Sequence, residues 1–196
     1  MIFVDKNNNV IQRKIEETKR HRKYIGPSNE NSWDFTVGLL DFDIPTNQIM
    51  YAKVLPDDFS KYLYTGAHLP VVCLNQYEEA LVGDLSAMPI VPANTTASKS
   101  LRISTHPPEN LQRKTFNKNL KDGDSGNPCF LFITNQPVIL TVWTSMTIST
   151  DWTLNPFGTS IHTYKEDINT LMNELGGGYQ LEEIDLSVFN VLPIQE

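Results

Sequence analysis

Cysteine is scarce in this chain: Cys73 and Cys129 are the two found in 196 residues. Two are too few for a disulfide framework. Both stand in apolar runs, PVVCL and NPCFLF, where buried free thiols on strands are the plain expectation. Histidine is nearly as sparse. His21, His68, His106 and His162 are scattered, without the grouping that a zinc site needs, so neither a metal nor a cofactor is expected. Positive charge is in deficit, with a formal net charge of −7, which argues against nucleic acid or an anionic membrane as partner. No window reaches the roughly 18 uninterrupted apolar residues of a membrane span. MIFVDKNNNV lacks the basic-then-apolar pattern of a secretory leader, so a genuine start there implies a cytosolic protein; otherwise the compartment is open.

What is present reads as β structure. Composition is that of an ordinary globular protein, 40% hydrophobic and 20% charged, long enough for one large domain or two small ones. Short apolar runs alternate with turn signals: NVIQRKIEETKRH (a half-exposed strand, with a short helix as the alternative), FTVGLLDFDI, IMYAKVL, KYLYTGAHLPVVCL, ALVGDLSAMPIVP, PCFLFITNQPVILTVWT and FGTSIHTY. NQP between FLFIT and VILTVW predicts a hairpin turn. One helix is expected over 163–175. Thr163 and Glu166 have capping-box spacing, Ile168, Leu171, Met172 and Leu175 recur at helical intervals, and the glycines at 176–178 end it. The tail 176–196 is expected to pack on the surface or on a partner.

The chemistry-bearing stretch is Gly123-Asp124-Ser125-Gly126-Asn127-Pro128, directly before an apolar strand. A bare GDSG also occurs in ordinary bends, but the six residues together resemble the nucleophile segment of the trypsin-like (chymotrypsin-fold) serine peptidases. Three further segments resemble landmarks of that family in the same order. NSWDFTVGLL resembles the segment carrying the buried carboxylate, which falls on Asp34. ILTVWT, with Trp143 and Thr144, resembles the strand that pairs with substrate and lines its pocket. FGTSIHTY and the helix resemble the closing strand and terminal helix. Asp34 precedes Ser125 by 91 residues, against an interval of roughly ninety in the family.

The resemblance implies an all-β, antiparallel double β-barrel with a C-terminal helix and an incomplete first barrel. Residues 1–60 would be the partial N-terminal barrel, 61–162 the C-terminal barrel, 163–175 the helix and 176–196 the tail. It implies that Ser125 attacks a peptide carbonyl, that the amides of Gly123 and Ser125 hold the oxyanion, and that Asp34 orients a histidine. Asn119 would stand at the pocket base, with Asn117 and Leu120 as alternatives for that place. Asn127 departs from the family's second glycine. Cys73 and Cys129 would lie in neighbouring segments of the second barrel, which leaves a bridge between them open.

The base is missing. A serine hydroxyl needs an imidazole within hydrogen-bond reach, and the family places it about forty-five residues before the carboxylate. Only 33 residues precede Asp34. His68, in YTGAH, falls after Asp34, would need Asp84 as its orienter, and reads as a loop residue. His21, in KRHRK, reads as the solvated end of a strand, His106 as a loop residue and His162 as a surface or core-edge group. The expectation is therefore a serine endopeptidase homologue that is inactive as given, a truncated form whose histidine segment lies upstream. The alternatives are a pseudoenzyme or β-rich binding module, and a base supplied by another chain. The partner is a peptide or protein, with self-association through the open barrel edge or the C-terminal tail.

Overall fold

The computed structural model describes residues 1–26, 33–59, 68–75, 80–86, 100–102, 123–148 and 154–187. The fold is mostly β, in three antiparallel sheets, with one helix in the C-terminal region among the described residues. β1 (Ile2–Val4) and β2 (Val10–Gln12) form a hairpin. Its turn is held by the Asp5 carboxylate, which accepts the amides of Asn7 and Asn9 at 2.8 Å each, with Asn8 left-handed at φ 64°. β3 (Ile15–Arg20) pairs with β4 (Thr36–Leu40).

The large sheet contains β5 (His68–Leu74), β6 (Ala80–Ser86), β7 (Ser100–Arg102), β8 (Pro128–Ile133), β9 (Gln136–Ile148) and β10 (Leu154–Ser160). Its strand order is β6-β5-β8-β9-β10-β7. No closed barrel is present among the described residues. β8 and β9 meet through Thr134 and Asn135, both with positive φ (48° and 67°). Two left-handed central residues are the signature of a type I′ turn, whose twist matches that of the flanking strands. The turn thus lies one residue earlier than NQP suggests, and Gln136 and Pro137 already belong to β9.

Cys73 and Cys129 face each other across the β5–β8 ladder, 4.1 Å apart at Cα, and are joined as a disulfide. This corrects the expectation of free thiols. Direct cross-strand pairing brings two buried sulfurs together, and strand spacing read from sequence does not reveal that register.

α1 (Lys165–Glu174) begins after Tyr164, not at Thr163. The expected capping box is absent, because the Thr163 hydroxyl bonds Ser160 Oγ at 2.9 Å and no side chain caps the helix. The C-terminus follows expectation. Gly176 has φ 78°, its amide donates to the Asn173 carbonyl, and Gly177 donates to the Met172 carbonyl, the paired bonds of a Schellman motif.

The core joins chain regions far apart in sequence: Phe35, Val54, Ile161, Tyr164, Ile168 and Leu171 pack together. IMYAKVL is not a strand. It contributes two isolated parallel bridges, Lys53 to Val138 and Val54 to Glu183. The first part of the tail therefore packs on this chain. The Val54 amide donates to the Glu182 carbonyl at 2.8 Å and the Ile184 amide to the Val54 carbonyl at 2.9 Å, while Ile184 and Leu186 are buried. Lys165, 9% exposed, closes the same corner with ion pairs to Asp57 and Glu183.

Candidate active site

Ser125 stands at the exposed tip of a tight turn. The Asn127 amide donates to the Asp124 carbonyl at 3.1 Å, which makes Ser125 and Gly126 the two central residues. Gly126 has φ 86°, the left-handed value required at the third position of a type II turn. Gly123 is also left-handed, at φ 104°. Asp124, between them, is buried at 3% exposure while Ser125 is exposed. The turn is fastened to β9 at one residue: Gly126 donates to the Trp143 carbonyl at 2.8 Å and Trp143 donates to the Asn127 carbonyl at 3.0 Å. Among the described residues nothing accepts from the amides of Gly123 or Ser125, and Ser125 Oγ makes no hydrogen bond.

Asp34 arrives at the same level of the sheet from the N-terminal side. Its carbonyl accepts the Thr159 hydroxyl of β10 at 2.8 Å. Thr159 is directly opposite Val142 on β9, and Val142 is opposite Pro128 on β8. Thr159 and Pro128 are thus two strand spacings apart, roughly 9.5 Å, and Ser125 is three residues before Pro128. The Asp34 carboxyl is partly buried and makes no hydrogen bond to a described residue. Burial pushes its pKa above 3.8, and the charge of Arg20 opposes that shift.

Two bulges shape this region. On β9, Leu140 is extra against β8 and Thr144 is extra against β10. Gly158, opposite Trp143, allows β9 and β10 to approach closely: a Cβ there would lie 2.5 Å from the Val142 carbonyl oxygen and would strike the Thr141 hydroxyl. Thr159 and Gly158 were not singled out from sequence. They sit in FGTSIHTY, where nothing in residue type marks the hydrogen bond to Asp34 or the close strand approach.

The described histidines lie elsewhere. His21 is not a solvated strand end: its side chain is 11% exposed and packs against Trp33 and Phe35. Nδ1 accepts the Lys23 amide at 3.2 Å, which places the proton on Nε2, 3.7 Å from Asp167 Oδ1. His68 is the first residue of β5, not a loop residue. Because Cys73 pairs with Cys129 in an antiparallel ladder, His68 is five residues further from the Ser125 end of the sheet, about 17 Å along the strand. His162 is half-buried; its Nδ1–H donates to the Leu55 carbonyl at 2.8 Å and its ring meets Phe59 edge-on. His106 and Asn119, with Asn117 and Leu120, lie outside the described residues, as does the side chain of Thr144.

Trp143 is 4% exposed, and its main-chain N–H and C=O are both bonded to the Ser125 turn. Its indole Nε1 is buried without a hydrogen-bond partner among the described residues. No group of three or more His, Cys, Asp or Glu suited to a metal occurs among the described residues, and no helix there is long and apolar enough to cross a membrane. No protein-family model, curated protein or solved structure matches the chain.

Proposed function

We propose that this chain carries the nucleophile turn and orienting carboxylate of a trypsin-like serine acyl-transfer site, acting on a peptide or protein. The observation that carries this reading is the Ser125 turn itself. Left-handed glycines flank the Asp124-Ser125 pair, Asp124 is buried while Ser125 is exposed, and the neighbouring Gly123 and Ser125 amides are unengaged by described residues. Two unengaged amides beside an exposed hydroxyl are what a developing oxyanion requires. The Asp34 carboxyl is partly buried and lacks a hydrogen bond to a described residue; burial disfavours its charge while it stands without a partner, a penalty that an adjacent imidazolium would relieve.

The fold belongs to the same proposal. The two outer strands of the large sheet, β6 and β7, are consecutive among the described strands yet stand at opposite edges. Consecutive strands usually neighbour one another, and hydrogen bonding between these two would close the six strands into a cylinder without free edges. β1 to β4 would then be strands of a first, incomplete barrel.

Catalysis needs an imidazole between Ser125 and Asp34. Among the described histidines, His21 has partners at both ring nitrogens, His68 is held at the far end of the sheet, and His162 is committed to Leu55. That observation favours a second reading, a pseudoenzyme whose cleft binds a peptide without cleaving it. A fluorophosphonate probe separates the two. The folded protein is incubated with the probe, with and without added free imidazole, and the adduct is mapped by mass spectrometry with Ser125→Ala as control. An adduct on Ser125 that imidazole accelerates supports acyl transfer. Folded protein with no adduct under either condition overturns it and leaves the binding module.

A further inference from the structure

We propose that β3 is a self-pairing edge, through which two copies of this chain join in an antiparallel β3–β3′ ladder centred on Thr18. β3 pairs with β4 along one side, and its other side is unpaired among the described residues. The His21 amide donates to the Phe35 carbonyl, toward β4. Main-chain groups alternate in direction along a strand, so Thr18 and Arg20 present their N–H and C=O to the open side. Exposed edges of this kind are templates for pairing with another chain.

The sequence along that edge selects the occupant. Glu16, Glu17, Thr18, Lys19 and Arg20 run as two acids, a neutral centre and two bases. A two-fold axis perpendicular to the sheet through Thr18 sets Thr18 against its own copy, Glu17 against Lys19 of the second copy, and Glu16 against Arg20. Every acid then faces a base, on both sides of the axis. Opposite charges directly across an antiparallel pair are favourable and like charges are not. Thr18 is the right centre for main-chain geometry as well, because its outward N–H and C=O would exchange both hydrogen bonds with the second Thr18. Shifting the axis to Glu17 would instead oppose two carboxylates and set Lys14 against Arg20.

The contacts already present are compatible with this arrangement. Glu16, Glu17, Thr18 and Arg20 are exposed. Lys19 reaches Glu174 at 3.3 Å yet keeps 29% of its side chain exposed, leaving room for a second carboxylate. The register shift between Ile15 and Glu17 marks Glu16 as a bulge, which bends the strand and limits the match to these few residues. The charges that would repel an arbitrary strand therefore admit one partner, another copy in one register. This proposal is independent of the serine chemistry.

The test is sedimentation equilibrium of the full chain over a concentration series, with folding followed by circular dichroism. The parent is expected to reach twice the mass of one chain, and more weakly at high salt. Glu17→Lys sets a new ammonium against Lys19 of the second copy, twice per dimer, and should raise the dissociation constant by about tenfold or more. Thr18→Pro removes an outward N–H without touching the β4 ladder and should abolish pairing. An equimolar mixture of Glu17→Lys and Lys19→Glu chains restores opposite charges at every charged pair, and should dimerise more tightly than either variant does by itself. A parent that stays monomeric at every concentration overturns the proposal. So does a dimer that Glu17→Lys and Thr18→Pro, both folded, leave unchanged.

Discussion

Gly126 and Gly158 both serve the neighbourhood of Ser125, for different physical reasons. At Gly126 the constraint is the backbone: φ is 86° and a Cβ would find nothing within 4 Å. Alanine there costs the left-handed strain of an L-residue, about 1 kcal/mol. At Gly158 the constraint is space, since a Cβ would meet the Val142 carbonyl oxygen at 2.5 Å and no side-chain rotation relieves a backbone contact. Gly158→Ala should therefore cost about 3 kcal/mol, clearly more than Gly126→Ala. Urea midpoints of the two variants check this, and equal losses would contradict it. Asp34 gives a prediction with a sign. Burial raises its pKa above 3.8, so the folded state holds that proton more tightly than the unfolded chain does. Its contribution to stability is full below 3.8 and is lost as pH rises through the folded pKa. Asp34→Asn should accordingly match the parent in acid and exceed it in urea midpoint at neutral pH. A parent more stable than the variant at neutral pH would show that the ionised carboxylate is favoured by the fold.

At the scale of elements, the Cys73–Cys129 bridge fastens β5 to β8, the strand that begins just after the Ser125 turn. It spans 56 residues. Removing a cross-link over a loop of that size frees unfolded-chain entropy worth up to about 4 kcal/mol. The double variant Cys73→Ala/Cys129→Ala should lose stability on that scale and loosen β5 from β8; a denaturation midpoint unchanged by the double substitution would refute it. The bridge also shows why elements were more legible than their contacts. Period-2 apolar runs and turn residues identified β4, β5, β6, β8, β9 and β10, and triple glycine fixed the end of α1. These signals are local. β1 and β7 are three residues each, too short to display a period, and were not foreseen. IMYAKVL has strand composition but is held by parallel bridges at Lys53 and Val54, a tertiary outcome. Thr163 had capping-box spacing, yet Ser160 offered its hydroxyl a closer partner. The site divides in the same way. Ser125 and its glycines are legible because the turn is encoded where it stands. The Thr159 bond to Asp34 depends on registers between β8, β9 and β10 that no local pattern reveals.

For the whole molecule, hydrogen bonding between β6 and β7, the outer strands of the six-stranded sheet, decides between free edges and a closed cylinder. The answer bears on the Ser125 turn, which is fastened to β9 in the middle of that sheet and gains rigidity from whatever holds the outer strands. The edge and closed arrangements differ in a measurable way. In an edge strand every second N–H points away from the neighbouring strand and exchanges with solvent, while the alternate ones are held. β6 pairs with β5 from Ala80 opposite Leu74 to Ser86 opposite His68, so an edge β6 has an alternating set of outward amides. If β7 pairs with β6 as well as with β10, the outward amides it faces become donors to a ladder and the alternation disappears over that stretch. Residue-resolved hydrogen exchange should then show a run of consecutive slow amides within Ala80–Ser86 where β7 lies against it, together with protection on both sides of Ser100–Arg102. Protection that alternates along β6, with fast amides at every second position, would establish an open sheet and remove the second cylinder. In that event the exposed β6 and β7 edges would join β3 as surfaces available to another chain.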